Sequence, residues 1–283
     1  MIPIPFDYHR ASSVDDALKA MAASGGSGKF VAGGHSLVPL MKLRLSEPGL
    51  LIDIARIPDL AGIREKGGQI EIGAATVHHA VATSKLLQEK CPIVSDAAAT
   101  IGDTQVRNRG TLGGSLAHAD PSADMPAVMV ALDAEIQLKS VKGERTVKAA
   151  SFFQDLFTVD LQPGEIITAV RFAPVKSAAY EKLYQKASHY AIVGVAAVLG
   201  VAGGKIESAR IGLTGATTHA IRLSKLEREL VGASKEGVAK AAAGAGGAEL
   251  QSVNSDLHAS EDYRRAMVGV FAKRAILAAL ARA

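Results

Sequence analysis

Val14, Ala17, Leu18 and Met21 recur at i, i+3, i+4 and i+7, the spacing that lines one side of an α-helix with apolar side chains. Ser13 precedes the run with Asp16 three residues on, and Gly25 and Gly26 follow it, so the pattern predicts a helix with a capped start and a glycine stop. The period then shortens. "KFVA" (29–32), "LLIDIARI" (50–57) and "QIEIGAAT" (69–76) read as strands, with a loop between the last two. "CPIVSDAAATIG" from Cys91 returns to a helical pattern, with Pro92 suited to its first turn. "AEIQLKS" and "ERTVKAA" predict a hairpin across "VKGE", "SFFQDLF" a short helix and "GEIITAVRFA" a strand.

The stretch "DTQVRNRGTLGGSLAHADPSADM" (103–125) keeps no clean period. It is polar and glycine-rich, and reads as an ordered loop. Composition shifts near Pro174–Ala178, where a boundary is expected. Beyond it "YEKLYQKAS", "AIVGVAAVLGVAGG" and "KIESARIGLTGA" predict an antiparallel set of strands, the last two joined at Gly203-Gly204. "SKLERELVGA" and "EDYRRAMVGVFAKRAILAALARA" read as helices, and "AAAGAGGAE" (241–249) as a loose low-complexity connection.

Of the 283 residues 48% are hydrophobic, enough for a large core, and 28 are glycine. The net charge of +4 comes from scattered basic residues, apart from Arg264, Arg265, Lys273, Arg274 and Arg282 in the last helix. No aromatic-rich basic module accompanies them, which argues against nucleic-acid binding. A single cysteine, Cys91, allows no internal disulfide and no four-cysteine iron–sulfur cluster. The N-terminus lacks a signal-peptide pattern, and the longest apolar run is shorter than the roughly 20 residues a membrane helix needs. A cytoplasmic protein is expected.

"VAGGHS" (31–36) and "TLGGS" (111–115) each place a Gly-Gly pair before a hydroxyl or imidazole side chain. Glycines accept positive φ and let backbone N–H groups close on an anion, so two such turns suit the two phosphates of a diphosphate. Neither the G-x-G-x-x-G dinucleotide fingerprint nor G-x-x-x-x-G-K-[ST] is present, and "GGSGKF" (25–30) leads into a strand where a phosphate loop leads into a helix. A dinucleotide bound here is not bound in the Rossmann manner.

"VAGGHSLVPLMKLRL", "TQVRNRGTLGGSLAHADPSADMPA" and "YEKLYQKASHYAIVGVAA" together resemble the FAD-binding medium subunit of molybdenum hydroxylases. That family includes the carbon monoxide dehydrogenase medium subunit and a domain of xanthine dehydrogenase. The resemblance spans essentially the whole chain. It implies an α+β fold with two FAD-binding subdomains of the vanillyl-alcohol-oxidase (PCMH) type, at 1–57 and 58–175. A C-terminal domain with a three-stranded antiparallel sheet and helices follows at 178–283. It further implies FAD on this chain, and two partners that carry the molybdenum cofactor (large subunit) and two [2Fe–2S] clusters (small subunit), as a dimer of heterotrimers.

By the same resemblance Phe30, Val31, Ala32, Gly33, Gly34, His35, Ser36 and Leu37 form a first diphosphate loop, and Thr111, Leu112, Gly113, Gly114 and Ser115 a second. Asp124 matches an acid that hydrogen-bonds the flavin nucleotide. Ile166 or Ile167 falls where an apolar residue meets the ring, Lys186 where a cation lies near it, and Tyr190 beside the isoalloxazine. Ser115 stands where Asn is common in the family, and His189 replaces an acid of some relatives. Other readings stay open: Asp124 as a helix cap, Tyr190 as a core aromatic, Arg107 and Arg109 as loop anchors, Cys91 as a buried inert thiol. His118 and Asp120 lack further ligands for a metal, and adjacent His78 and His79 diverge on a helix. The implied activity is electron transfer from partner iron–sulfur clusters through FAD to an external acceptor. The alternatives are a stand-alone flavin reductase or oxidase on the same fold, and a scaffold subunit without flavin. Carbon monoxide, aldehydes, purines and N-heterocycles all remain open as holoenzyme substrates.

Overall fold

The computed structural model describes residues 2–245 and 247–283. Strand β1 (Asp7–Arg10) leads to helix α1 (Val14–Ala23), then β2 (Gly28–Val31), α2 (Leu37–Lys42) and β3 (Leu50–Asp53). The three strands form a parallel sheet in the order β1-β3-β2. Helix α1 starts as its sequence predicts, with the Ser13 hydroxyl accepting from the Asp16 N–H at 3.1 Å. The reciprocal half is displaced by one residue: the Asp16 carboxylate accepts from the N–H and hydroxyl of Ser12. Gly25 and Gly26 stop the helix at φ +59° and +91°, backbone angles that only glycine adopts without strain. Val14, Ala17 and Leu18 pack on Ile52, Ile57 and Leu60 to form a small core.

A second sheet has the order β4-β5-β10-β6-β7, from β4 (Ile63–Lys66) and β5 (Gln69–Gly73) through β6 (Glu135–Ser140) and β7 (Gly143–Lys148) to β10 (Ile166–Phe172). Strand β4 occupies the stretch expected to be a loop. Its alternation is masked because only Ile63 of "IREK" is apolar and the rest is exposed on an edge. Helices α3 (His78–Ala82), α4 (Lys85–Lys90), α5 (Pro92–Ala99), α6 (Thr104–Arg107), α7 (Leu112–His118) and α8 (Asp124–Ala131) lie between β5 and β6. The 103–125 region is thus mostly helical where a loop was expected. Its helices α6 and α7 are only four and seven residues long, too short to show a period. Each is started by a side-chain cap instead, Asp103 to the Val106 N–H at 2.8 Å and Thr111 to the Gly114 N–H at 3.1 Å. "SFFQDLF" divides between α9 (Ala149–Phe152) and a small hairpin of β8 (Phe153–Asp155) and β9 (Thr158–Val159).

The third sheet is antiparallel in the order β11-β12-β13-β14, from β11 (Ala178–Tyr184), β12 (Ala191–Ala202), β13 (Lys205–Thr214) and the two-residue β14 (Ile221–Arg222). The first three are the predicted strands. Gly203 and Gly204, at φ +56° and +72°, make the turn between β12 and β13. Helices α10 (Ser224–Leu230), α11 (Val238–Ala245) and α12 (Glu261–Leu280) complete the fold. The expected loose connection at 241–249 is helical up to Ala245; Gly246, within the same stretch, lies outside the described residues. Helix α8 is buried on every side. Strand β13 passes so close to it that a Cβ on Gly212 would lie 2.1 Å from the Ala127 carbonyl oxygen. Arg264, one of the basic cluster of the last helix, is buried. Its guanidinium donates to the carbonyls of Ile192 (2.6 Å) and Gly215 (2.9 Å) and pairs with Asp256.

Candidate functional site

The two Gly-Gly motifs are not the same structure. In the first, Gly34 takes φ +74° at the step from β2 to α2. None of the N–H groups of Gly33, Gly34, His35, Ser36 and Leu37 has an acceptor among the described residues. Ser36 sits at the N-cap of α2, and its hydroxyl makes no hydrogen bond among the described residues. A run of free N–H donors around a positive-φ glycine, at a helix start, is the arrangement that holds a phosphate oxygen.

In the second motif neither Gly113 nor Gly114 has positive φ, because both lie in the first turn of α7. Its donors are already used. Leu112 N–H donates to Thr76 O at 3.0 Å, Gly113 N–H to Ala74 O at 2.8 Å, Gly114 N–H to the Thr111 hydroxyl and Ser115 N–H to Thr111 O. Gly113 is needed for packing, since its Cβ would lie 2.5 Å from that of Ala74. The hydroxyl protons of Thr111 and Ser115 are the donors of this motif that have no acceptor among the described residues.

The two motifs are nonetheless joined. A Cβ on Gly33 would lie 2.2 Å from the carbonyl oxygen of Arg109, so the first turn rests directly on the residues that lead into α7. His78 supports the junction from behind. Its N–H donates to Gly110 O, and its ring lies against Gly110. The imidazole is buried with Nδ1 unpartnered, and burial, with the nearby His35, holds its pKa down to about 4. A histidine neutral when folded and near 6.5 when unfolded takes up its proton only on unfolding, so stability is full above pH 6.5 and falls toward pH 4. The expected loss is about 3 kcal/mol across that interval. Thermal melts at pH 7.5 and 4.5 should show it, and His78→Leu should shrink the difference.

Each remaining candidate has a definite place. Phe30, Val31 and Ala32 are partly buried at the end of β2, and Leu37 opens α2. Leu112 is fully buried and faces the core, so it supports α7 and presents nothing to a ligand. Ile166 is buried in the small core beside α1, and Ile167 in a larger core that also holds Leu112, Met125 and Val128. Asp124 is no helix cap: it is the first residue of α8, and the N-cap Ala123 receives no side-chain bond. Its carboxylate is buried and already holds Tyr180 Oη at 2.5 Å and Lys182 Nζ at 3.0 and 3.1 Å. Lys186 is exposed on the 185–190 loop and makes no ion pair among the described residues. Tyr190 ends the same loop, 46% exposed. It lines a polar cleft of about 200 Å³ with Asp120, Ser122, Gln185, Ser188 and Arg264. His189 has φ +61° and its Nδ1 lies 2.8 Å from Gly102 O.

Arg107 anchors its own loop through Ile101 O and Gly102 O. Cys91 is fully buried, and burial pushes its thiol up to about 12; it is inert. No cluster of metal-ligating side chains occurs among the described residues. Sequence reasoning missed Tyr180 and Lys182. Their signal was the two-residue spacing on a strand, which puts both on one face.

The α+β chain thus carries a turn of free N–H groups around a positive-φ glycine, with the start of α7 packed on it. The family described as FAD binding domain in molybdopterin dehydrogenase matches residues 4–174, and the CO dehydrogenase flavoprotein C-terminal domain matches 178–279. The chain belongs to this family of FAD-binding oxidoreductase components. It is 40% identical over 285 residues to the carbon monoxide dehydrogenase medium chain of Hydrogenophaga pseudoflava, covering 100% of this chain and 99% of that one. It is 39% identical over 287 residues to the 6-hydroxypseudooxynicotine dehydrogenase complex subunit alpha of Paenarthrobacter nicotinovorans, covering 100% and 97%. Among solved structures, carbon monoxide dehydrogenase from H. pseudoflava lacking the Mo-pyranopterin moiety matches with a TM-score of 0.95 and 41% identity, over 100% of this chain and 99% of that chain.

Proposed function

We propose that this chain is the FAD-binding electron-transfer subunit of a molybdenum-containing hydroxylase, receiving electrons from iron–sulfur clusters on a partner and delivering them to an external acceptor. The observation that carries the reading is the row of free N–H groups from Gly33 to Leu37. These groups and the Ser36 hydroxyl bind diphosphate oxygens, and the hydroxyls of Thr111 and Ser115 bind from the facing motif. Tyr190 and Lys186 border the ring, and Ile166 or Ile167 backs it across β10. When bound, FAD supplies two-electron redox chemistry through its isoalloxazine. The chain itself binds and orients the cofactor and excludes water from it, and no side chain is assigned as an acid or base.

A multi-subunit setting is supported by the relatives, since the two named above are a medium chain and a complex subunit. On this reading the partners are a large molybdenum-cofactor subunit and a small iron–sulfur subunit, paired as a dimer of heterotrimers in the cytoplasm. No described helix is long and apolar enough to cross a membrane. The chain divides by function at 1–57, 58–175 and 178–283. Carbon monoxide and 6-hydroxypseudooxynicotine appear in the names of relatives of nearly equal identity, which fits a reading in which substrate binds the large subunit and not this chain.

On this reading cofactor attachment is non-covalent: the single cysteine is buried and inert, and no histidine stands in a recognised attachment setting. The purified protein should carry one FAD per chain, all of it released by acid precipitation. Colour left on the pellet would contradict non-covalent binding, and a colourless native complex would contradict FAD binding.

A further inference from the structure

Lys182 lies on β11 with its ammonium almost wholly buried. An ammonium has three protons, and here three acceptors from three other parts of the fold converge on it. They are Thr100 O just past the end of α5 (3.0 Å), the Asp124 carboxylate at the start of α8 (3.0 and 3.1 Å) and His189 O in the 185–190 loop (2.7 Å). Tyr180, two residues before Lys182 on the same face, donates its hydroxyl to Asp124 and fixes that carboxylate in turn.

The loop is closed as well as clamped. Gln185 N–H donates to Tyr190 O at 2.9 Å, His189 N–H to Gln185 O at 2.8 Å, and the Gln185 amide oxygen accepts from Ser188 N–H. A bulge between Leu183 and Tyr184 begins the departure from the β11–β12 ladder. His189, a non-glycine at φ +61°, holds a left-handed conformation that costs about 1–2 kcal/mol. It persists because its carbonyl is held by Lys182 and its ring lies against Gly102. The next residue is Tyr190.

We propose that Asp124 and Lys182 form a buried strut that sets the 185–190 loop, and so aims Tyr190 at the cofactor, with Asp124 acting through Lys182 and not by contact with the nucleotide. Both are positioning residues. The cofactor clause rests on the functional reading above; the strut itself does not, so the experiment reads the two separately.

Amide hydrogen exchange across 185–190 tests the strut in the FAD-free and FAD-loaded chain alike. Lys182→Met should speed exchange there by about 10–100-fold, the effect of releasing a charge-assisted tether, and leave the Gly33–Leu37 turn as it was. Single removal leaves a buried carboxylate unpaired, so Asp124→Leu/Lys182→Met, which removes both charges, guards against failure to fold and should loosen the loop equally. Asp124→Asn should also loosen it. In the loaded chain, flavin fluorescence should rise several-fold in the strut variants and in Tyr190→Leu, through loss of the same ring contact. It should rise no further when Lys182→Met and Tyr190→Leu are combined. Unchanged exchange at 185–190 in Lys182→Met and in the double variant would overturn the strut. A loosened loop with unaltered flavin fluorescence would overturn its role toward the cofactor. Asp124→Asn that weakens FAD binding while the loop stays protected would return Asp124 to direct contact.

Discussion

Gly34→Val should give a folded protein that purifies without flavin. Valine at φ +74° adopts the left-handed region at a cost of about 1–2 kcal/mol. Its Cβ would also stand 3.1 Å from the Val38 side chain. The backbone relieves both by rotating out of the positive-φ region, and that rotation turns the N–H groups of Gly34 and His35 away from a common point. Loss of two charge-assisted hydrogen bonds at about 1.5–3 kcal/mol each weakens FAD by roughly 100-fold or more. Gly114→Val makes the contrast. Gly114 is helical, and its Cβ would meet only the Thr111 hydroxyl at 2.8 Å. That variant loses the α7 cap, about 1 kcal/mol, and should retain far more flavin than Gly34→Val. Isothermal titration of the two apo variants with FAD checks the order. Equal affinities would mean that the second motif carries as much of the diphosphate as the first.

The largest stability effects should come from the other glycine of each pair. A methyl on Gly33 collides with backbone at Arg109, and one on Gly113 collides with Ala74. Neither backbone nor the Ala74 Cβ can swing aside as a side-chain end does, so at Gly33 the two motifs must part and at Gly113 α7 must move off the end of β5. Overpacking of this kind costs about 1–3 kcal/mol, which in a chain of this size lowers Tm by roughly 2–6 °C. Gly33→Ala should lose stability and FAD affinity together, because it separates the first turn from the α7 start. Gly113→Ala should lose mainly stability, since its N–H already serves Ala74. Melting curves with and without saturating FAD distinguish the two. A Gly33→Ala protein with wild-type Tm and wild-type FAD affinity would show that the motifs do not depend on each other.

The strands and long helices were legible in the sequence because their apolar periods are carried by contiguous residues, as in α1 and the β12–β13 hairpin. The first Gly-Gly turn was legible too, since a glycine pair straight after a short strand marks a break in the chain. What escaped was structure set by single contacts. Helices α6 and α7 are started by one side-chain cap each, and a four- or seven-residue helix leaves no periodic trace. The equivalence expected of the two Gly-Gly motifs failed for a related reason. The same dipeptide serves positive φ at Gly34 and close packing at Gly33 and Gly113, and only the neighbours decide which. Asp124 and Lys182 lie 58 residues apart, and nothing local marks them as partners. Arg264 read only as one of a basic cluster, since the two carbonyls that hold it, of Ile192 and Gly215, are 72 and 49 residues away.

The central claim is that electrons reach this chain from a partner. Its most direct test is flavin absorbance on addition of hydroxylase substrate, with the isolated FAD-loaded chain and with the chain reassembled with its molybdenum and iron–sulfur subunits. The account predicts no bleaching in the isolated chain, which has one inert cysteine and no metal-ligating cluster among its described residues, and rapid bleaching in the complex. Bleaching of the isolated chain at the rate of the complex would contradict the relay and replace it with a stand-alone flavoenzyme.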